Sequence, residues 1–105
     1  MSLGGLLSPP LDAAVAKLTD AGIHVTVAAG NDSSLADLYS PARARSAVTV
    51  GASNIQDQRA MFSNHGPAVK IFAPGEGITS AWNATDDVSF PCFIRHFGFK
   101  LIIGS

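Results

Sequence analysis

Leu11-Asp12-Ala13-Ala14-Val15-Ala16-Lys17-Leu18-Thr19-Asp20-Ala21-Gly22 runs directly into Ile23-His24-Val25-Thr26-Val27-Ala28-Ala29, and the change of pattern between these halves decides the fold. In the first half Leu11, Ala14, Val15 and Leu18 recur at i, i+3, i+4 and i+7, one apolar stripe at helical period. Ser8-Pro9-Pro10 ahead of it is a start signal, because a proline in the first turn lacks only an N–H that would have no partner there. Asp12 stands near the positive end of the helix dipole, and Gly22 offers a left-handed terminator. The pattern predicts a helix over 10–21. The second half is β-branched and nearly continuously apolar, as suits a strand buried on both faces of a parallel sheet. Helix, tight turn and buried strand are half of a βαβ unit, with Met1–Gly4 as the end of the preceding strand.

Working outward, residues 31–46 are polar with Pro and Ser breaks and read as a surface loop. Ala47–Ala52 is predicted as a further short buried strand, Val69–Phe72 as a fourth ended by Pro74-Gly75, and Ile78–Trp82 as a fifth. The expected architecture is α/β: an incomplete three-layer sandwich with a mainly parallel sheet. Met1–Gly4, Ile23–Ala29 and Ala47–Ala52 are its expected neighbouring strands, with the helix on one face.

The chain has 105 residues, one domain or less, and at this size a compact fold buries only about 60–65% of its unfolded surface. Hydrophobic content of 47% against 14% charged residues suits a piece of a larger core. Seven basic and eight acidic residues leave a net charge of −1, with no basic stripe to indicate a nucleic-acid partner. The single cysteine, Cys92, excludes an internal disulfide framework. Met1 leads straight into Ser-Leu-Gly-Gly, without the basic start and apolar run of a secretory signal, so the chain is expected to begin mid-domain. Phe90–Ser105 is strongly apolar but is interrupted by Arg95, His96 and Lys100, too short and too charged for a membrane span.

Short motifs add chemistry to this frame. Ser2-Leu3-Gly4-Gly5, Ala28-Ala29-Gly30-Asn31, Tyr39-Ser40-Pro41-Ala42, Val48-Thr49-Val50-Gly51-Ala52-Ser53, Phe62-Ser63-Asn64-His65-Gly66 and Ile71-Phe72-Ala73-Pro74-Gly75 follow one another as far as Trp82. Together they resemble the subtilisin-like serine protease family, in its fungal proteinase K-like branch, over about residues 1–87. The resemblance implies a partial peptidase domain over 1–87 and an unrelated hydrophobic tail over 88–105. It implies Asn31 as the side-chain donor of the oxyanion hole. It also implies that Ser2, Leu3 and Gly4, with Ala28, Ala29 and Gly30, line the pocket for the substrate residue before the scissile bond. The partner so implied is a peptide or protein substrate, with neither nucleic acid nor membrane. Members of the family are usually secreted.

Each of these residues also has a plainer reading. An Asn after Gly at the end of a strand is a turn residue tolerant of left-handed backbone, and small residues serve close helix–sheet packing as well as a pocket. Asn31-Asp32-Ser33 and Asn83-Ala84-Thr85 match the glycosylation tripeptide, which carries little weight without a signal peptide. A nucleotide-binding α/β fragment is an alternative in which Ala28–Asn31 turns around a phosphate, but Gly30 alone is not a G-x-G-x-x-G.

The family's triad runs Asp, His, Ser. No Asp-Thr-Gly or Asp-Ser-Gly, no His-Gly-Thr-His and no Gly-Thr-Ser-Met-Ala occurs in this chain, and His24, His65 and His96 each have a different context. A hydroxyl needs a base to become a nucleophile at neutral pH, so the chain is expected to be inactive alone: a fragment of a serine endopeptidase, or a non-catalytic decoy derived from one. No cofactor is expected. Where the resemblance puts a carboxylate that helps hold calcium stands Lys70, a cation that would repel one.

Overall fold

The computed structural model describes residues 1–78. The predicted strand Ile78–Trp82, beyond its first residue, and the tail Phe90–Ser105 lie outside the described residues. A parallel sheet is formed by β2 (Thr26–Ala28), β4 (Val48–Ser53) and β5 (Ile71–Pro74), side by side in that order. A short antiparallel pair joins β1 (Gly5–Leu6) to β3 (Tyr39–Ser40). One α-helix, α1 (Pro9–Asp20), and a 3-10 turn at Ala36–Leu38 complete the elements. The fold is an incomplete α/β unit with a parallel sheet, as the helix–strand pattern predicts.

The helix begins on Pro9 and Pro10 at its first two positions, with Ser8 as N-cap. It ends in a Schellman arrangement: the Ile23 N–H donates to the Leu18 carbonyl at 3.1 Å, and the Gly22 N–H to that of Thr19 at 3.0 Å. Gly22 takes φ +83° to make this possible, a conformation that costs a residue without a Cβ little. Because the cap occupies residues 21–23, the strand starts later than predicted. Ile23 and His24 are exposed, and only Thr26–Ala28 is strand within the predicted Ile23–Ala29.

The inward helix face is also turned relative to the predicted stripe. Val15 is fully buried, but Ala14 is exposed and Leu18 is 40% exposed, while Asp12, Ala16 and Thr19 are half-buried. Val15 packs with Val25, Val27, Ala44 and Ala47, so the helix meets the sheet through one large residue and a bed of small ones.

Met1–Gly4 is not a strand. Met1 nonetheless runs beside β2, its N–H donating to the Thr26 carbonyl and its carbonyl accepting from the Ala28 N–H. Those two bonds straddle Val27 in the parallel pattern. The chain then leaves the sheet, and Gly5 and Leu6 pair with Ser40 and Tyr39 instead. Val69–Phe72 is displaced as well, since the strand falls on Ile71–Pro74 and includes the proline. Residues 31–46, predicted as a surface loop, hold core residues: Ala36, Ser40, Pro41, Ala42 and Ala44 are buried, and the Ser40–Pro41 peptide is cis.

Candidate functional site

The C-terminal ends of parallel strands are where open α/β sheets bind ligands, and the predicted residues gather at that edge. Ala28 closes β2, and the Ala29 N–H extends the ladder to the Val50 carbonyl at 2.9 Å. Gly30 then turns the chain out of the sheet with φ +102°, leaving Asn31 half-buried just beyond the edge. The bond from the Ala28 N–H to Met1 sets the start of Ser2–Gly4 against the same end of β2. Ser2, Leu3 and Gly4 are exposed there, and Ala28 and Ala29 are buried. Small residues at 28–30 thus form a floor that is packed from below and flanked on one side by the N-terminal segment.

Gly30 opens into a loop and not into an α-helix; the next helical turn is the 3-10 segment Ala36–Leu38. The phosphate-turn arrangement therefore lacks the helix N-terminus that would give it anion affinity.

The loop is held by Phe62–Gly66, a motif that carries the resemblance but has no predicted part in the site. Asn64 is fully buried. Its Oδ1 accepts from the N–H groups of Asp32 at 2.9 Å and Ser34 at 3.0 Å, and its Nδ2 donates to the Ala29 carbonyl at 3.0 Å. Its own N–H donates to the Gly30 carbonyl at 2.9 Å. One side chain and one peptide therefore tie down both sides of Asn31. A Cβ on Gly30 would lie 2.4 Å from Asn64 Nδ2, so the glycine is required by close approach as well as by its φ.

Neighbouring bonds extend the clamp. The Ser33 N–H donates to the Phe62 carbonyl at 2.9 Å, the His65 N–H to that of Ser34 at 2.9 Å, and the Ala36 N–H to that of His65 at 2.8 Å. Ser63, also fully buried, accepts from the Ala52 N–H at 2.9 Å through Oγ, which in turn donates to the Asn64 carbonyl at 3.0 Å. The clamp is thereby bolted to β4. In the sequence, Phe62–Gly66 stands only as one of the motifs of the resemblance. Nothing in one chain's local pattern tells that its partner lies some thirty residues earlier.

Asn31 itself differs from its surroundings. Its Oδ1 is buried with no hydrogen-bond partner among the described residues.

Away from this edge, an open groove of about 550 Å³ is lined by Asp12, Ala16, Asp37, Arg43, Ala44, Arg45 and Ser46. None of the predicted site residues lines it.

Known proteins share this sequence and fold. Residues 1–98 match the Subtilase family. The chain is 57% identical over 86 residues to the subtilisin-like serine protease Pen ch 18 of Penicillium rubens, covering 82% of this chain and 17% of that protein. It is 53% identical over 93 residues to an extracellular serine proteinase of Thermus sp. (strain Rt41A), covering 85% and 23% respectively. Among solved structures, a cold-adapted subtilisin-like serine proteinase superimposes with a TM-score of 0.77 at 49% identity, covering 78% of this chain and 30% of that one. The chain thus spans about a sixth to a quarter of the length of these two curated relatives. With motifs, sheet and solved neighbours in agreement, the chain belongs to the subtilase family.

Proposed function

We propose that this chain is the oxyanion-hole and substrate-cleft piece of a subtilisin-like serine endopeptidase, and that it does not hydrolyse peptide bonds by itself. The observation that carries the reading is Asn31, a half-buried side-chain amide at the C-terminal sheet edge on a loop tied down on both sides. The family's reaction passes through an acyl-enzyme, and negative charge builds on the carbonyl oxygen in each tetrahedral intermediate. A fixed amide donor aimed at that oxygen stabilises the transition state more than the ground state. In subtilisin, the type case for this donor, its loss raises the barrier by roughly 3 kcal/mol; the figure belongs to that enzyme.

Ser2–Gly4 supply extended backbone that pairs with a substrate strand, and Ala28, Ala29 and Gly30 leave room for the side chain before the scissile bond. The substrate class is accordingly peptide or protein. The chain carries none of the family's Asp, His and Ser contexts, so the donor faces no nucleophile of its own. No cofactor takes part. Lys70, exposed and one residue ahead of β5, stands where the resemblance puts a calcium-binding carboxylate, and a cation there does not fit a divalent ion.

Incubating the purified 105-residue chain with a chromogenic peptide and a fluorophosphonate probe tests this. No turnover and no covalent labelling are expected. Labelling of any serine, or turnover abolished by Asn31→Ala, would overturn the catalytic part of the reading.

A further inference from the structure

We infer that Asn64 is a positioning residue for the oxyanion site: it sets where Asn31 points, and its amide is needed for both of its hydrogen-bonding halves. This rests on Asn31 being the oxyanion donor. Asn64 occurs in no catalytic context, yet it is fully buried and joined to four neighbours of Asn31. The Oδ1 bonds to Asp32 and Ser34 fix the chain after Asn31. The Nδ2 bond to Ala29 and the backbone bond to Gly30 fix the chain before it. The absent Cβ of Gly30 leaves the space that Nδ2 occupies. An electrostatic donor works only if it is already in place when charge develops, because reorienting it during the reaction would consume the energy it supplies. The backbone on either side of Asn31 sets where its side chain starts from, and it is bonded at residues 29, 30, 32 and 34. That backbone hangs on Asn64.

The chemistry of the amide supplies the test. Oδ1 must accept and Nδ2 must donate. A carboxylic acid reproduces both, with its carbonyl oxygen accepting and its O–H donating to Ala29. A carboxylate reproduces only the first and sets a negative oxygen against the Ala29 carbonyl. In Asn64→Asp the Asp32 and Ser34 N–H groups favour the charged form, but burial and the Ala29 carbonyl facing the second oxygen oppose it and are expected to raise the carboxyl's titration above its unfolded value of about 3.9. The variant is therefore wild-type-like when protonated and loses stability as pH rises from that unfolded value to the raised folded one. Asn64→Ala has neither half and shows no such recovery.

The experiment uses the full chain, labelled with 15N, as wild type, Asn64→Ala, Asn64→Asp and Asn31→Ala, at neutral and acid pH. Amide exchange at Asp32 and Ser34 reads the clamp, with the Val48 amide, bonded to Val25, as a distant reference. Titration with a product-like peptide ending in a free carboxylate reads the donor through the shift of the Asn31 side-chain amide. In wild type, Asp32 and Ser34 should be protected and the Asn31 amide should respond to the peptide. Asn64→Ala should lower protection at Asp32 and Ser34 by at least about tenfold relative to Val48 and abolish the Asn31 response. Asn64→Asp should keep protection at Asp32 and Ser34 at neutral pH, through the acceptor it retains, but lose the Asn31 response, and should regain that response in acid, measured against wild type at the same pH.

If Asn64→Ala fails to fold, the aspartate variant decides alone. A wild-type Asn31 response in Asn64→Asp at neutral pH, or no recovery of that response in acid, overturns the positioning role, as does an intact Asn31 response in Asn64→Ala. Failure of the underlying reading looks different: the clamp depends on Asn64 as described, but the wild-type Asn31 amide ignores the peptide.

Discussion

The loop around Asn31 and the outer flanks of the sheet are built on opposite principles. The loop is held by buried polar bonds that close within the described chain, from Asn64 to Ala29, Asp32 and Ser34 and from Ser63 to Ala52. The flanks are apolar and open: Leu6 is 82% exposed, Ile71 54% and Phe72 42%. Polar bonds are directional and complete themselves locally, so a site made of them carries its own scaffold. Apolar area has no direction and is satisfied only by whatever covers it. Among the described residues the loop's polar bonds are therefore closed while the apolar flanks stand exposed.

The strongest way to break this comparison is to attack the loop where it has no slack. Gly30→Ala would force a Cβ to within 2.4 Å of Asn64 Nδ2 at a φ of +102°. Asn64 is buried and bonded on three sides by its side chain, so it cannot swing away. The expected loss is about 3 kcal/mol or more, combining overpacking with a strained backbone, measured as a fall in the urea midpoint at unchanged slope. A loss below about 0.5 kcal/mol, the range of ordinary surface changes, would mean that the loop is no more constrained than the flanks.

Ser63→Ala comes next. It removes the acceptor of the buried Ala52 N–H and the donor to the Asn64 carbonyl while keeping the Cβ. One unsatisfied buried N–H costs about 1–3 kcal/mol. Exchange of the Ala52 amide should rise more than that of Val48, which would locate the loss at the bolt between clamp and strand.

Gly51→Ala sharpens the contrast because it touches both regions. Its Cβ would meet the Phe72 ring at 2.5 Å and Ser63 Oγ at 3.2 Å. The ring belongs to the open flank and turns away easily; Ser63 does not. A cost of about 1 kcal/mol is expected, shrinking in a Phe72→Ala background, and a double-mutant cycle gives the coupling. An undiminished cost would identify Ser63 as the obstacle.

These same residues mark how far the sequence was legible. Helix α1 was readable because Pro9-Pro10 and Gly22 punctuate it, and β4 because Ala47–Ala52 is short, apolar and bounded. The parallel arrangement followed from helix and strand in succession. The Schellman cap was signalled by Gly22, yet its extent into Ile23, which shortened β2, depended on bonds that apolarity does not show. Met1–Gly4 looked like a strand because the motif sits at a strand end; Met1 does make ladder bonds to Thr26 and Ala28, but the strand falls on Gly5–Leu6. Residues 31–46 looked polar and hence superficial, but their alanines and Pro41 pack inward at a spacing that is neither helical nor alternating. Asn31 could be named from the resemblance. Asn64 could not, because a buried polar residue is recognised by its partners, and its partners lie at Ala29, Asp32 and Ser34.

The smallest effect belongs to the open flank. Leu6 pairs with Tyr39 through its backbone while its side chain stands in solvent, so Leu6→Ser should change stability by no more than about 0.5 kcal/mol. Removing an exposed apolar side chain should instead lower self-association, read as a higher monomer fraction in sedimentation at equal concentration. The opposite outcome, a loss of more than 1 kcal/mol, would mean that Leu6 is covered in solution. The flank would then be a closed surface like the loop, and the contrast between the two regions would disappear.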